Sequence, residues 1–178
     1  MEIYLKKEFL QFTGSFKERG ARNVLLSLTP DQKKKGVISA SLGNHAQGLS
    51  YHGMKLNIPV TVVMPKEASI MKIQKCKNFG ATVIVQGKDM AAAKQIAMEM
   101  SRDLQLPYIN GYDHPQIMAG QGTIGLEIVE QCEGADAIVV PVGGGGLIAG
   151  IATAVKTLSP STKIIVSFIH SLLQLMIQ

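Results

Sequence analysis

Val37-Ile38-Ser39-Ala40-Ser41-Leu42-Gly43-Asn44-His45-Ala46-Gln47-Gly48 runs from a β-branched apolar stretch through a glycine-bearing turn into a helical pattern. Residues 37–41 read as a strand buried on both faces, and 46–56 as the helix after it. The alternation recurs along the chain. Val60–Met64, Thr82–Val85 and Ala137–Pro141 are further continuous apolar runs of the same buried type. Helical patterns cover 70–79 and 90–104, the latter with Ala93, Ile96, Ala97, Met100 and Leu104 on one stripe. Leu147, Ile148, Ile151, Ala152, Val155 and Leu158 form another stripe after the last glycine cluster. Strands alternating with helices over short connections predict an α/β fold with open parallel sheets. In such sheets ligands bind at the carboxyl ends of strands, where loops lead into helix N-termini.

A chain of 178 residues with 46% hydrophobic and 17% charged residues can bury a core as one domain or two small lobes. The net charge of +5 comes from dispersed basic residues. The only basic run, Lys33-Lys34-Lys35, follows Thr29-Pro30-Asp31-Gln32 and reads as a solvated helix end beside Gly36. Aromatic residues are sparse and not interleaved with basic ones, so no nucleic-acid partner is expected. Cys76 and Cys132 stand alone in helical patterns and read as idle thiols of a reducing compartment rather than a disulfide framework. No signal peptide opens the chain. The apolar tail over 164–178 is broken by Ser167, His170, Ser171 and Gln174 and is too short to span a bilayer. A cytoplasmic protein without a membrane partner is expected.

Three glycine-bearing segments lie at predicted helix starts. In Thr13-Gly14-Ser15-Phe16-Lys17-Glu18-Arg19-Gly20, Ser15 and Glu18 have capping-box spacing, with Ser15 as N-cap. Lys17 then sits in the first turn, where the helix dipole depresses its pKa and favours the neutral amine that a Schiff base needs. By itself the segment reads better as an ordinary capped helix with a surface lysine. In Ser39–Gly48, Ser41 and Asn44 offer short polar groups, Gly43 admits a ligand to the backbone, and the exposed N–H groups suit a carboxylate. The plainer reading is a turn capped by Asn44 with His45 solvated. The third segment, Pro141-Val142-Gly143-Gly144-Gly145-Gly146-Leu147, places four glycines between a buried strand and an amphipathic helix. Their entropic cost has a physical reason if backbone N–H groups cradle a phosphate at the helix start. The segment matches neither G-x-G-x-x-G nor a P-loop.

Taken in order, with Tyr112-Asp113-His114-Pro115 and Ala119-Gly120-Gln121-Gly122-Thr123 between them, these segments resemble the fold-type II pyridoxal-phosphate enzymes. The resemblance is to the branch of threonine/serine dehydratases (ammonia-lyases) and serine racemases, and runs roughly from Ile3 to Ile165. It implies a three-layer α/β fold of the tryptophan synthase β-like class. It divides the chain into a small substrate-side lobe over about 38–115 and a large cofactor domain from 1–37 and 116–178, the large domain incomplete. Lys17 becomes the Schiff-base lysine and α-proton base, and the only catalytic residue assigned. Phe16 lies against the pyridine ring and Asn44 bonds the ring hydroxyl. Gly143, Gly144, Gly145, Gly146 and Leu147 bind the phosphate through main-chain N–H groups. Ser41, Asn44 and His45 lie in the loop that holds the substrate carboxylate. The implied reaction is α,β-elimination of L-threonine or L-serine to a 2-oxo acid and ammonia, with pyridoxal 5'-phosphate as cofactor, a small amino acid as substrate and a homo-oligomer as assembly. No metal ligands are assigned.

Serine racemases carry a serine just before Gly-Asn-His, as the acid/base on the opposite face of the substrate. Here that position is Leu42, which cannot move a proton, so elimination is favoured over racemisation. Threonine dehydratases usually have alanine there, so Leu42 departs from them too. After Lys163-Ile164-Ile165-Val166 the resemblance stops. The family's hydroxyl residue facing the pyridine nitrogen and its acidic cation ligands fall beyond that point. The expectation is a truncated or alternatively terminated product, with an exposed apolar tail. The alternatives to the dehydratase reading are a serine racemase or a truncated non-catalytic product of such an enzyme.

Overall fold

Because β-branched residues pack well on a pleated surface, the apolar runs become strands, each followed by a turn and a helix. The computed structural model describes residues 2–167, so positions 168–178 of the apolar tail lie outside the described residues. The chain divides into two compact units. One is Glu8–Gly111. The other combines 2–7 with 112–167 of the described residues.

In the 8–111 unit, β1 (Val37–Ala40), β2 (Val60–Met64) and β3 (Thr82–Val85) form a parallel sheet in that order. Val37 pairs with Val60, and Thr61 with Thr82. The period of two sends Ile38, Ala40, Val63 and Ile84 to one face. There they pack with Ala93, Ile96, Ala97 and Met100 of α5 (Met90–Asp103). The opposite face meets α3 (Asn44–Leu56), where Gly53 comes against Val60. Helix α1 (Lys17–Ser27) lies on α3, and α4 (Ile70–Asn78) adjoins α3 and β3. Helices on both faces of a parallel sheet give the predicted three-layer arrangement. The basic run forms the last turn of α2 (Pro30–Lys35), which ends at Gly36 with φ of +96° as expected. Leu104 lies beyond α5 and is exposed, so it leaves the predicted stripe.

Residues 107–109 run beside the free edge of β1. The Ile38 N–H donates to the Pro107 carbonyl at 3.0 Å, and the Ile109 N–H donates to the Ile38 carbonyl at 2.8 Å. Ser39 Oγ then donates to the Ile109 carbonyl at 2.7 Å. The segment ending at Gly111 is thereby carried to the carboxyl end of β1, beside the turn into α3.

In the second unit, β4 (Ala137–Pro141) and β5 (Lys163–Ser167) pair in parallel around α7 (Gly146–Leu158). Helix α6 (Pro115–Gln131) packs on α7. Small residues permit the close crossing. A Cβ on Gly150 would stand 2.2 Å from the Met118 carbonyl oxygen and 2.6 Å from Gly122 N. The prediction that all four apolar runs are buried on both faces is corrected here. β4 alternates, with Ile138 and Val140 buried and Val139 63% exposed. Among the described residues helices cover only one of its faces, whereas β1 and β2 are covered on both. β3, an edge strand of its sheet, leaves Val85 exposed.

Candidate functional site

Lys17 lies in the first turn of α1 as expected, but the helix begins there, one residue later than Ser15 as N-cap implied, and it is not capped as the spacing predicted. Phe16 is the N-cap, with φ −58° and ψ −16°, and it has no side-chain oxygen to donate to. Ser15 Oγ accepts instead from the Lys17 N–H at 3.3 Å. The Glu18 carboxylate reaches past Ser15 to accept from the Thr13 N–H, and stands 3.4 Å from His52 Nε2. The capping box is displaced because Phe16 is already helical, which moves the chain reversal upstream to Gly14, at φ +81°.

Lys17 Nζ donates to the Gly111 carbonyl at 2.5 Å and lies 5.2 Å from the Phe16 ring centroid. Burial lowers its pKa below the usual lysine value. The direction is that expected from the sequence, but the cause is desolvation rather than the helix dipole.

Gly111 joins Lys17 to the second segment. A Cβ there would lie 2.6 Å from His45 Cγ, so only glycine lets the His45 ring lie against the backbone that receives the lysine. His45 is 5% exposed, with Nε2 3.4 Å from the Ile109 carbonyl, and is not the solvated histidine of the plainer reading. Asn44 does not cap α3 either. Gly43 holds the N-cap, which makes Asn44 the first helical residue, exposed, and turns His45 inward. Ser41 is anchored at the end of β1 by its N–H to the Val63 carbonyl at 3.2 Å, and its Oγ accepts from the Gly43 N–H at 3.4 Å. The structure therefore brings Lys17 and His45 together at Gly111, with Ser41 and Asn44 in the adjoining turn. Gly111 and Ile109 escaped sequence reasoning, because a single parallel bridge leaves no periodic signal.

In the other unit, Gly143–Gly146 connects β4 to α7. Gly145 is the N-cap of α7 at φ +83°, a left-handed conformation that suits glycine. Gly144 and Gly146 face Tyr112, where a Cβ would meet the ring at 2.4 Å and the carbonyl oxygen at 2.3 Å respectively. Gly143 and Gly145 open into free space. Leu147 lies in the first turn of α7, whose N–H groups have no intrahelical partner. A cradle of main-chain donors at a helix start, unobstructed at two of its glycines, fits a phosphate. In the 8–111 unit, taken by itself, a desolvated amine near an aromatic ring fits an aldehyde such as that of pyridoxal phosphate. Tyr112, quoted in the sequence only as part of an ordered motif, is the residue that shapes this loop.

Residues 1–168 match the model of a family described as pyridoxal-phosphate dependent enzyme. The chain is 46% identical over 164 residues to the L-threonine ammonia-lyase of Thermotoga maritima, covering 92% of this chain and 41% of that protein. It matches the solved processed form of threonine deaminase isoform 2 from Solanum lycopersicum with a TM-score of 0.91 at 44% identity, covering 94% and 49%. A serine racemase from Dictyostelium discoideum matches with a TM-score of 0.88 at 38% identity, covering 93% and 54%. The chain thus spans about half the length of the relatives it matches. A desolvated lysine at a helix start, a glycine cradle and a family match over 1–168 lead to one conclusion: the chain belongs to the pyridoxal-phosphate dependent enzymes.

Proposed function

We propose that the chain is the cofactor-bearing part of an L-threonine/L-serine dehydratase, which converts a β-hydroxy amino acid to a 2-oxo acid and ammonia. The observation that carries the reading is Lys17, desolvated and hydrogen-bonded to Gly111 beside Phe16. Its lowered pKa raises the fraction of neutral amine, the form that attaches an aldehyde and later takes a proton. Lys17 would hold the cofactor through its amine and take the substrate's α-proton at Nζ. Phe16 packs against the pyridine ring, and Asn44 bonds its hydroxyl. The N–H groups of Gly143, Gly144, Gly145, Gly146 and Leu147 take the phosphate. Ser41, Asn44 and His45 hold the substrate carboxylate, with His45 contributing main chain because its ring is packed on Gly111. Pyridoxal phosphate, when bound, supplies the electron sink for the departing α-proton.

A division into a substrate-side lobe over 38–115 and a cofactor domain over 1–37 and 116–178 belongs to the same proposal for the complete subunit. So do serine as an accepted substrate, assembly as a homo-oligomer and a cytoplasmic location. Among the described residues no helix is long and apolar enough to cross a membrane.

Serine racemisation is the second reading, favoured by the likeness to the solved serine racemase. Leu42 opposes it, since no proton donor stands at that position. The test is incubation with L-threonine and L-serine in the presence of pyridoxal phosphate. Release of 2-oxobutanoate and pyruvate, with recovered serine still L, supports elimination. D-serine without 2-oxo acid would replace it with racemisation. No product from the 178-residue chain, despite cofactor on Lys17, would mark it as a non-catalytic fragment.

A further inference from the structure

Glu18 follows Lys17 directly in the first turn of α1, and its carboxylate is buried. One oxygen accepts from the Thr13 N–H, four residues before Lys17, and the other lies 3.4 Å from His52 Nε2 on α3. The two side chains are 8% and 10% exposed. A carboxylate taken out of water is destabilising unless it is paired, so these two partners are needed. One turn before His52, Gly48 lies on the same side of α3. A Cβ there would come within 3.3 Å of both Glu18 N and Lys17 C. Helix α3 therefore meets the first turn of α1 twice, at its backbone through Gly48 and at its carboxylate through His52.

We propose that Glu18 and His52 are a positioning pair that locks the 13–17 turn and so holds Lys17 Nζ at the Gly111 carbonyl. The claim concerns where the lysine amine stands. Its consequence for chemistry rests on the proposed role of Lys17. Burial and the Arg22 charge lower the His52 pKa against the opposing pull of Glu18, and the Tyr51 ring packs at 4.9 Å. Neutral His52 then donates Nε2–H to Glu18. Without that donor the carboxylate seeks water, the turn loosens and Lys17 becomes solvated.

The experiment uses the full chain, with its lysines labelled by ¹³C reductive methylation and Lys17 assigned through Lys17→Arg. The Lys17 resonance is titrated in wild type, Glu18→Gln, His52→Leu and His52→Gln. In Glu18→Gln and His52→Leu its midpoint rises by about half a unit or more toward the ordinary lysine value, while other lysines stay put. Deleting a neighbouring negative charge would by itself move it down, so the sign separates solvation from Coulomb effects. His52→Gln, whose amide still donates, restores most of the shift. In separate samples of unlabelled protein, the rate at which pyridoxal phosphate is captured and reduced onto the primary amine of Lys17 falls about tenfold in His52→Leu. A folded His52→Leu with unchanged Lys17 titration and capture rate overturns the proposal, even if Glu18→Gln fails to fold. If wild type captures no cofactor at Lys17, the functional reading fails while the titration still decides the positional one.

Discussion

Gly111→Ala places a methyl group 2.6 Å from His45 Cγ, 2.8 Å from Cδ2 and 3.0 Å from Cβ. The nearest of these is about 0.8 Å inside the 3.4 Å at which ordinary van der Waals contact begins. His45 is buried in the first turn of α3, so its ring has little space to retreat into. Either the ring leaves its rotamer or the backbone at 111 moves away. The second response draws the Gly111 carbonyl from Lys17 Nζ, now 2.5 Å distant. Overpacking of this kind costs roughly 1–3 kcal/mol, and a lost hydrogen bond to a charged group about 1.5–3 kcal/mol. The two are alternatives in part, so the substitution should destabilise the chain by roughly 2–4 kcal/mol. Urea unfolding measures it. The diagnostic result is the double mutant with His45→Ala, which removes the ring that the methyl strikes. The double mutant should recover at least about 1 kcal/mol relative to the sum of the single changes. Additive losses, or a Gly111→Ala chain within about 0.5 kcal/mol of wild type, would refute the packing of His45 on Gly111.

Gly145→Ala, at φ +83° with open space beyond, should cost about 1–2 kcal/mol from backbone strain and weaken pyridoxal phosphate binding. Gly143→Ala, open and without positive φ, should leave stability unchanged in the same unfolding assay. Gly150→Ala drives a methyl into the backbone of α6 at Met118 and Gly122, and calorimetry should show a larger loss in Tm than either. Histidine NMR should place the His52 midpoint below its ordinary 6.5. With the folded pKa lowered, the unfolded chain binds the extra proton first, so stability falls as pH drops through 6.5 towards the folded midpoint. Stability that is flat across that interval would contradict the buried, neutral His52.

The strand–helix alternation was legible because its strands are apolar and its helices periodic. Helix α6 was not, since Gly120, Gly122 and Gly125 stand among Ile117 and Ile124 and dilute the apolar stripe. Its start was nonetheless marked, by His114 as N-cap and Pro115 at the first position. β5 was missed as a strand because Ile164, Ile165 and Val166 read as the start of the apolar tail over 164–178. At the site, Lys17 and the glycine cradle could be read from local chemistry, as helix-start features. Caps could not, because one residue of shift at Phe16 or Gly43 decides which side chain meets which N–H. The contacts of Gly111 with Lys17 and His45 span 94 and 66 positions of sequence respectively, a separation no local pattern encodes. Leu42, read as a departure from both dehydratases and racemases, remains half-buried in the β1–α3 turn.

Lys17, among all the lysines of the chain, is the one proposed to carry the cofactor. This is tested by adding pyridoxal phosphate, reducing with borohydride and locating the added mass by peptide mapping. One dominant tag should appear, on the peptide containing Lys17, formed with a pH midpoint below the 10.5 of an ordinary lysine and lost in Lys17→Ala. A tag spread over exposed lysines, or a dominant tag that survives Lys17→Ala, would contradict it.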